Sequence, residues 1–187
     1  FQNRNETRWS KLASVVSIHN MAYQGDHAGG WLYQAGIHGR HQPDLVYQNL
    51  TDNMLGIALA YSDMLSTVSP RYATEIQYPY MGYGLDGLIR TRIQDLYGIL
   101  NGIDVKLWNP ATDPHITTHF SVADFAEKRI LNKRHLQSSL DLDTRDEAFV
   151  IGVVSRLVWQ KGMDLAVPAL WRMLAQYDVQ VVVLGTG

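Results

Sequence analysis

Arg156 and Lys161 stand five positions apart in Ser155-Arg156-Leu157-Val158-Trp159-Gln160-Lys161-Gly162. The segment follows the apolar, β-branched run Phe149 to Val154 and precedes a helical pattern, so it reads as a strand-to-helix turn. Such a turn lies at the carboxyl edge of an α/β sheet, where ligands bind. The helix that follows offers unpaired N–H groups and partial positive charge at its N-terminus. A guanidinium grips phosphate oxygens with two N–H groups, and an ammonium adds a compact charge. Arg, Lys and a helix N-terminus together make a receptor for a di-anion, most plainly a diphosphate. The competing reading is a solvated loop with ordinary surface charges. Gly185 and Gly187 end a second apolar run, and without a Cβ they leave room for backbone to approach a nucleotide. His38 and His41 make a poor metal pair. They are three residues apart with no carboxylate or third ligand beside them, so a surface loop is the better reading.

The elements that must position these residues follow from the apolar pattern. Leu12 to Ile18 reads as a buried parallel strand with His19 and Asn20 at its carboxyl end. Thr51 or Asp52 can cap a helix running to about Tyr61, with Met54, Leu55, Ala58 and Leu59 as its apolar side. Met64 to Val68 is the next strand. Ser69 then caps a helix that has Pro70 in its first turn. Tyr83-Gly84-Leu85-Asp86-Gly87 reads as a flexible turn before a helix over Leu88 to Gln94, with no chemical role assigned. Leu96 to Leu100 is a strand ending at Asn101-Gly102, where Asn101 suits a turn that needs left-handed φ. Asp124 to Leu140 is a helix with Lys and Arg on one face. Phe149 to Val154 and Val179 to Leu184 are strands, with a helix ending near Tyr177 between them. Strand alternates with helix, which predicts an α/β fold with parallel sheets. The pattern breaks into Gly, Asn, Pro and Asp between Asn101 and Asp113, where a domain boundary is expected.

Composition sets outer limits. The 187 residues allow one or two domains, and 46% apolar content supplies a core. With 18% charged residues and a net charge of −2, the chain is neither disordered nor a basic nucleic-acid binder. No run is long enough for a membrane span, and Phe1 to Lys11 lacks the apolar stretch of a signal peptide. There is no cysteine, hence no disulfide framework and no thiolate chemistry, which fits a reducing cytoplasm. The chain starts without Met and stops where a strand runs into a Gly turn, so an internal fragment of a longer protein is expected.

Five further motifs accompany the Arg156–Lys161 turn: His19-Asn20-Met21-Ala22-Tyr23-Gln24-Gly25, Ser66-Thr67-Val68-Ser69-Pro70, Tyr83-Gly84-Leu85-Asp86-Gly87-Leu88, Leu100-Asn101-Gly102-Ile103-Asp104 and Trp108-Asn109-Pro110-Ala111-Thr112-Asp113. In this order and spacing, from about Val15 to Gly187, the chain resembles bacterial glycogen synthase and plant starch synthase. These are retaining glucosyltransferases that use a nucleotide-activated glucose. The resemblance implies a GT-B fold, two Rossmann-like domains with parallel sheets across a cleft, only partly present here. Residues 1–103 would be the C-terminal part of the first, acceptor-side domain. Residues 104–187 would be the linker and start of the second, nucleotide-sugar-binding domain.

The same resemblance implies roles. Arg156 and Lys161 match the family's diphosphate-binding pair. His19 matches a His that contacts the donor glucose; its plainer reading is a capping residue at a strand end. Asn20 would face the acceptor side, and Asn101 matches an Asn that also reaches the glucose. Ser155 and Gly185 join Asn20 and Asn101 as substrate-binding residues, with His19, Arg156 and Lys161 as the catalytic set. The family works without a bound divalent ion, so no metal or cofactor is expected. The implied partners are ADP-glucose, with UDP-glucose the alternative donor, and an α-glucan acceptor. Neither nucleic acid nor membrane is implied, and the location is the cytoplasm, or the plastid in a plant. Two positions depart from the pattern. Gly56 stands where a Lys or Arg is usual, at a helix cost of about 1 kcal/mol. Pro168 falls inside the helix after Lys161, where it loses a backbone hydrogen bond. The family's Lys-x-Gly-Gly-Leu loop and late Glu motif lie outside the chain, so these residues alone are not expected to elongate glucan. Two other readings stand beside the synthase: another GT-B hexosyltransferase and a catalytically dead glucan-binding module. Gln24 and the Trp108-Asn109-Pro110 context favour the synthase over the first, and intact His19, Arg156 and Lys161 over the second.

Overall fold

A computed structural model describes residues 6–38 and 40–187. Gly39 of the His38–His41 segment and the first five residues of the Phe1 to Lys11 stretch lie outside the described residues. The chain forms two compact units, Phe1–Gly102 and Ile103–Gly187.

In the first unit, strands β1 (Val15–Ile18), β2 (Met64–Thr67) and β3 (Leu96–Gly98) pair in parallel in that order. The register sets Val16, Leu65 and Leu96 side by side on one face and Ser17, Ser66 and Tyr97 on the other. The apolar face belongs to a core shared with the short helices α1 (Gly29–Gln34), α2 (Pro43–Tyr47), α3 (Met54–Tyr61), α4 (Pro70–Glu75) and α6 (Asp86–Thr91); a further short helix, α5 (Pro79–Gly82), precedes α6 in the chain. Ile18, Leu45, Leu59, Leu65, Leu88 and Ile89 are buried there. Burying each such side chain stabilises the unit by about 1.5–3 kcal/mol.

The parallel α/β expectation holds, and several details change. The first strand begins at Val15 rather than Leu12. It is an edge strand, and of its residues only Ile18 is buried. The third strand stops at Gly98, short of Leu100. Helix α3 is capped by Asn53, not by Thr51 or Asp52: Asn53 Oδ1 accepts the Gly56 N–H at 2.7 Å, while the Asp52 carboxylate pairs with Arg40 at 2.9 Å. Its buried side is Gly56, Ile57 and Leu59, and Met54 faces solvent. Gly56 fits its place, since a Cβ there would lie 3.3 Å from Asn53 Oδ1 and 3.4 Å from Leu50 Cβ. The helix expected over Leu88 to Gln94 starts at Asp86 and ends at Thr91, and a 3-10 turn, Ile93–Asp95, follows it. Ser69 caps α4 as expected, its Oγ accepting the Tyr72 N–H at 2.9 Å with Pro70 in the first turn.

Arg92 closes the carboxyl end of α3. It donates to the carbonyls of Leu59 at 2.6 Å and Ser62 at 2.8 Å, and its Nε to Asp95 at 2.8 Å. A cation at the last carbonyls of a helix also meets the negative end of the dipole. We expect Arg92→Ala to lower unfolding free energy by about 2 kcal/mol, the scale of hydrogen bonds to a charged donor, as read by urea titration.

In the second unit, β4 (Phe149–Val154) and β5 (Val179–Leu184) pair in parallel along their whole length, Phe149 opposite Val179 and Val154 opposite Leu184. Helix α7 (Phe125–Ser139) precedes them, and α8 (Met163–Gln176) connects them; Pro168 is accommodated within α8. The basic face of α7 is put to structural use. Lys133 Nζ donates to the Asp146 carbonyl at 2.6 Å and to the Ala148 carbonyl, and Arg134 pairs with the Asp146 carboxylate. At the foot of α7, the Lys128 hydrogen bond, helped by the Ser121 N–H, holds the Asp124 carboxyl down at about 2. Two buried amides tie α7 to β5: Gln137 donates to Gln180 Oε1 at 2.7 Å, and Gln180 to the Asp143 carbonyl at 2.7 Å.

Candidate functional site

The carboxyl ends of β1, β2 and β3 open onto a shallow cavity of about 200 Å³. His19 follows β1 there, Ser66 and Thr67 end β2 with Val68 beyond it, and Asn101 stands beyond β3. Parallel strands point their carboxyl ends the same way, so residues 82 positions apart, His19 and Asn101, line one hollow. Both are exposed. Its lining mixes polar and apolar side chains: Ser17 and Ser66 hydroxyls bond each other at 2.8 Å, Thr67 Oγ1 donates to the Ile18 carbonyl at 2.9 Å, and Val68, Ile99 and Leu100 complete the hollow. Asn20 is exposed just outside the hollow, and its Oδ1 accepts the Ala22 N–H at 2.9 Å. That bond shapes the turn.

Gly98 makes this edge compact. A Cβ at that position would lie 2.4 Å from Pro70 Cα and 2.4 Å from the Ser69 carbonyl oxygen. Only glycine lets β3 run so close to the Ser69–Pro70 turn.

In the second unit the chain leaves β4 through Ser155, Arg156 and Leu157, makes a 3-10 turn at Trp159–Lys161 and enters α8 through Gly162. Gly162 has φ 70°, which glycine adopts without strain. No side chain caps α8. Arg156, ahead of this turn, and Lys161, at its end, are exposed, and Ser155 is half-buried. The ion pairs of the unit lie elsewhere, at Asp124–Lys128, Arg134–Asp146 and Arg145–Asp178. Among the described residues, then, no carboxylate neutralises either cation.

The loop is held by backbone. The Ser155 N–H donates to the Leu184 carbonyl at 3.1 Å, and the Leu157 N–H to the Thr186 carbonyl at 2.9 Å. Gly185 lies inside this pairing: a Cβ on it would sit 1.9 Å from the Ser155 carbonyl oxygen, and one on Gly187 would sit 2.6 Å from that of Leu157. The space a side chain would take is filled by the chain's own backbone. The arrangement presents Arg156 between two fixed neighbours in the loop that leads to an uncapped helix start, an arrangement suited to anionic oxygens.

Elsewhere, His38 packs edge-on against the Tyr33 ring at 4.9 Å. Among the described residues no cluster of His, Asp and Glu could hold a metal ion, and no helix is long and apolar enough to cross a membrane.

Residues 1–91 match the family model of the starch synthase catalytic domain. The chain is 46% identical to glycogen synthase 1 of Geobacter metallireducens over 176 residues, and 44% identical to the glycogen synthase of Thermotoga maritima over 190. Over nearly its whole length the chain is thus similar to the glycogen synthase and starch synthase family of glycosyltransferases. Those alignments cover 94% and 98% of this chain but 35% and 38% of the relatives, so the chain spans little more than a third of their length. The fold agrees. The catalytic domain of starch synthase IV from Arabidopsis thaliana, bound to ADP and acarbose, superposes with a TM-score of 0.86 at 31% identity, over 98% of this chain and 38% of that one. The parallel α/β architecture is thus part of a GT-B synthase fold.

Residues with structural weight at this sheet edge also include some whose sequence motifs assign them no role. Gln24 and Tyr83 lie inside recognised motifs, and Asn53 stands directly before an apolar helix, the place of a cap. What joins them is contact across the fold, which no local pattern reports.

Proposed function

We propose that the protein of which this sequence is part transfers glucose from ADP-glucose to the non-reducing end of an α-1,4-glucan, with retention at the anomeric carbon. The observation that carries the reading is a pair of cations, Arg156 just beyond the carboxyl end of β4 and Lys161 just before α8, that no carboxylate among the described residues neutralises. As the bond between glucose C1 and the diphosphate oxygen breaks, negative charge grows on the leaving group. Fixed cations there bind the transition state more tightly than the ground state and so raise the rate. Arg156 supplies paired N–H donors and Lys161 a point charge. Ser155 and Gly185 serve the same ligand, Gly185 by letting the loop close. In the first unit, His19 and Asn101 bind hydroxyls of the transferred glucose, and Asn20 faces the acceptor. Residues 1–103 act as the acceptor-side domain and residues 104–187 as the linker and the opening of the donor domain. The ADP held by the starch synthase IV structure supports an adenine nucleotide as donor. The absence of cysteine accords with a reducing cytoplasm or plastid.

Replacing His19 in the full-length protein tests the sugar side. His19→Ala should lower kcat by about tenfold, the worth of one hydrogen bond made as the sugar departs. ADP affinity should stay at the parental value, because the imidazole serves glucose and not diphosphate. A mere capping role would give the reverse, a lower Tm with parental turnover per folded molecule. Steady-state kinetics beside a thermal melt separates the two.

A further inference from the structure

We propose that Gln24 is a positioning residue for His19 and Asn20, acting with Asn53 as a two-amide clamp that ties their loop to α3 and to the turn at Tyr83. The proposal rests on the reading of His19 as a sugar-binding group.

Every polar atom of the Gln24 side chain is engaged. Nε2 donates to the Met21 carbonyl at 2.9 Å and to the Tyr83 carbonyl at 3.0 Å. Oε1 accepts from Asn53 Nδ2 at 2.7 Å. Asn53 Oδ1 in turn caps α3 through the Gly56 N–H. The backbone repeats the link: the Leu55 N–H donates to the Gln24 carbonyl at 2.9 Å, and the Met54 N–H to the Gly25 carbonyl at 3.1 Å. One half-buried amide thereby joins the loop leaving β1, the start of α3 and the end of α5.

These bonds fall where the loop needs them. His19 and Asn20 are exposed, whereas Met21 is fully buried, with its N–H donated to the Tyr72 hydroxyl at 3.2 Å. Met21 fixes the near end of the loop and Gln24 the far end. Tyr83, whose carbonyl Gln24 holds, has φ 49° and ψ 41°, a left-handed conformation that residues with a side chain seldom adopt. A contact that holds such a turn is more demanding than ordinary surface packing, and unusual backbone of this kind gathers at functional sites. A sugar-binding imidazole must stay within about half an ångström of its working position, which neighbouring hydrogen bonds enforce.

The clamp is tested in the full-length protein with Gln24→Met, Asn53→Ser and the double variant. Serine still caps a helix, so Asn53→Ser removes the amide link while sparing α3. Each single variant should lower kcat by about tenfold, since misplacement by a fraction of an ångström already carries a rate penalty. The KM for ADP-glucose and the affinity for ADP should move less than about twofold, the split expected when only the transition state loses an interaction. The double variant should match the singles rather than multiply them, because both break one network. If kcat falls only as far as the folded fraction measured by thermal melt, or the two effects multiply, the clamp is structural and the proposal fails. His19→Ala separates the layers. Loss of turnover in His19→Ala with parental kcat in both clamp variants overturns the clamp alone. Parental turnover in His19→Ala overturns the sugar-site reading beneath it.

Discussion

Arg156→Ala or Lys161→Ala in the full-length protein should cut kcat/KM for ADP-glucose by about 10²-fold or more, the cost of removing one fixed charged donor at a developing anion. Both side chains are exposed, and among the described residues neither is paired with a carboxylate. Removing them breaks no internal contact of that kind, so unfolding free energy should stay within about 0.5 kcal/mol of the parent. That separation of rate from stability is the signature of a binding role; a solvated loop predicts no kinetic change at all. Arg156→Lys should not restore the parental rate, because an ammonium cannot reproduce two parallel N–H contacts to phosphate oxygens. Glycogen affinity should be unchanged, since the diphosphate and not the glucan meets these groups. Steady-state kinetics with a glycogen-binding assay reads all three outcomes. Parental kcat/KM in both alanine variants would sink the diphosphate assignment.

The sequence exposes what is periodic and local. Phe149–Val154 and Val179–Leu184 are Val-rich apolar runs, each interrupted only once, by Gly152 and by Gln180, and the strands have those same limits. Ser69-Pro70 announces a helix start because cap and first-turn chemistry are both explicit. The cap of α3 is different. Thr51, Asp52 and Asn53 are all competent, and the choice falls to contacts far along the chain: Arg40 takes Asp52, and Gln24 takes the amide of Asn53. Helices α1, α2 and α5 have four to six residues, too few to show a helical period in the sequence. At the sheet edge, His19 and Asn101 were legible as residues at the ends of parallel strands, and the fold brings both to one hollow. The clamp at Gln24 and the close passes at Gly98 and Gly185 were not. Each depends on which backbone lies opposite, a fact of tertiary structure.

Gly185→Ala should be as damaging to donor use as loss of Arg156 itself, although it changes no charge. The added methyl would lie 1.9 Å from the Ser155 carbonyl oxygen, a separation no packed atoms adopt. Backbone is the obstacle, so no side chain can swing aside. The chain must part where the Ser155 N–H meets the Leu184 carbonyl and the Leu157 N–H meets that of Thr186. Arg156 lies between those two bonds, so any relief of the clash shifts its guanidinium. A displacement of about 1 Å costs on the order of 10²-fold in rate when geometry governs the step. Gly30→Ala is the contrasting substitution. It lies in α1 with nothing within 4 Å of its would-be Cβ, and alanine in a helix is favoured over glycine by about 1 kcal/mol. Kinetics and thermal melts on both variants should therefore diverge: Gly30→Ala with parental kcat/KM and equal or higher Tm, Gly185→Ala with kcat/KM down by about 10²-fold. If Gly185→Ala retained parental ADP affinity and kcat/KM, the close pass would not be what holds Arg156 in place.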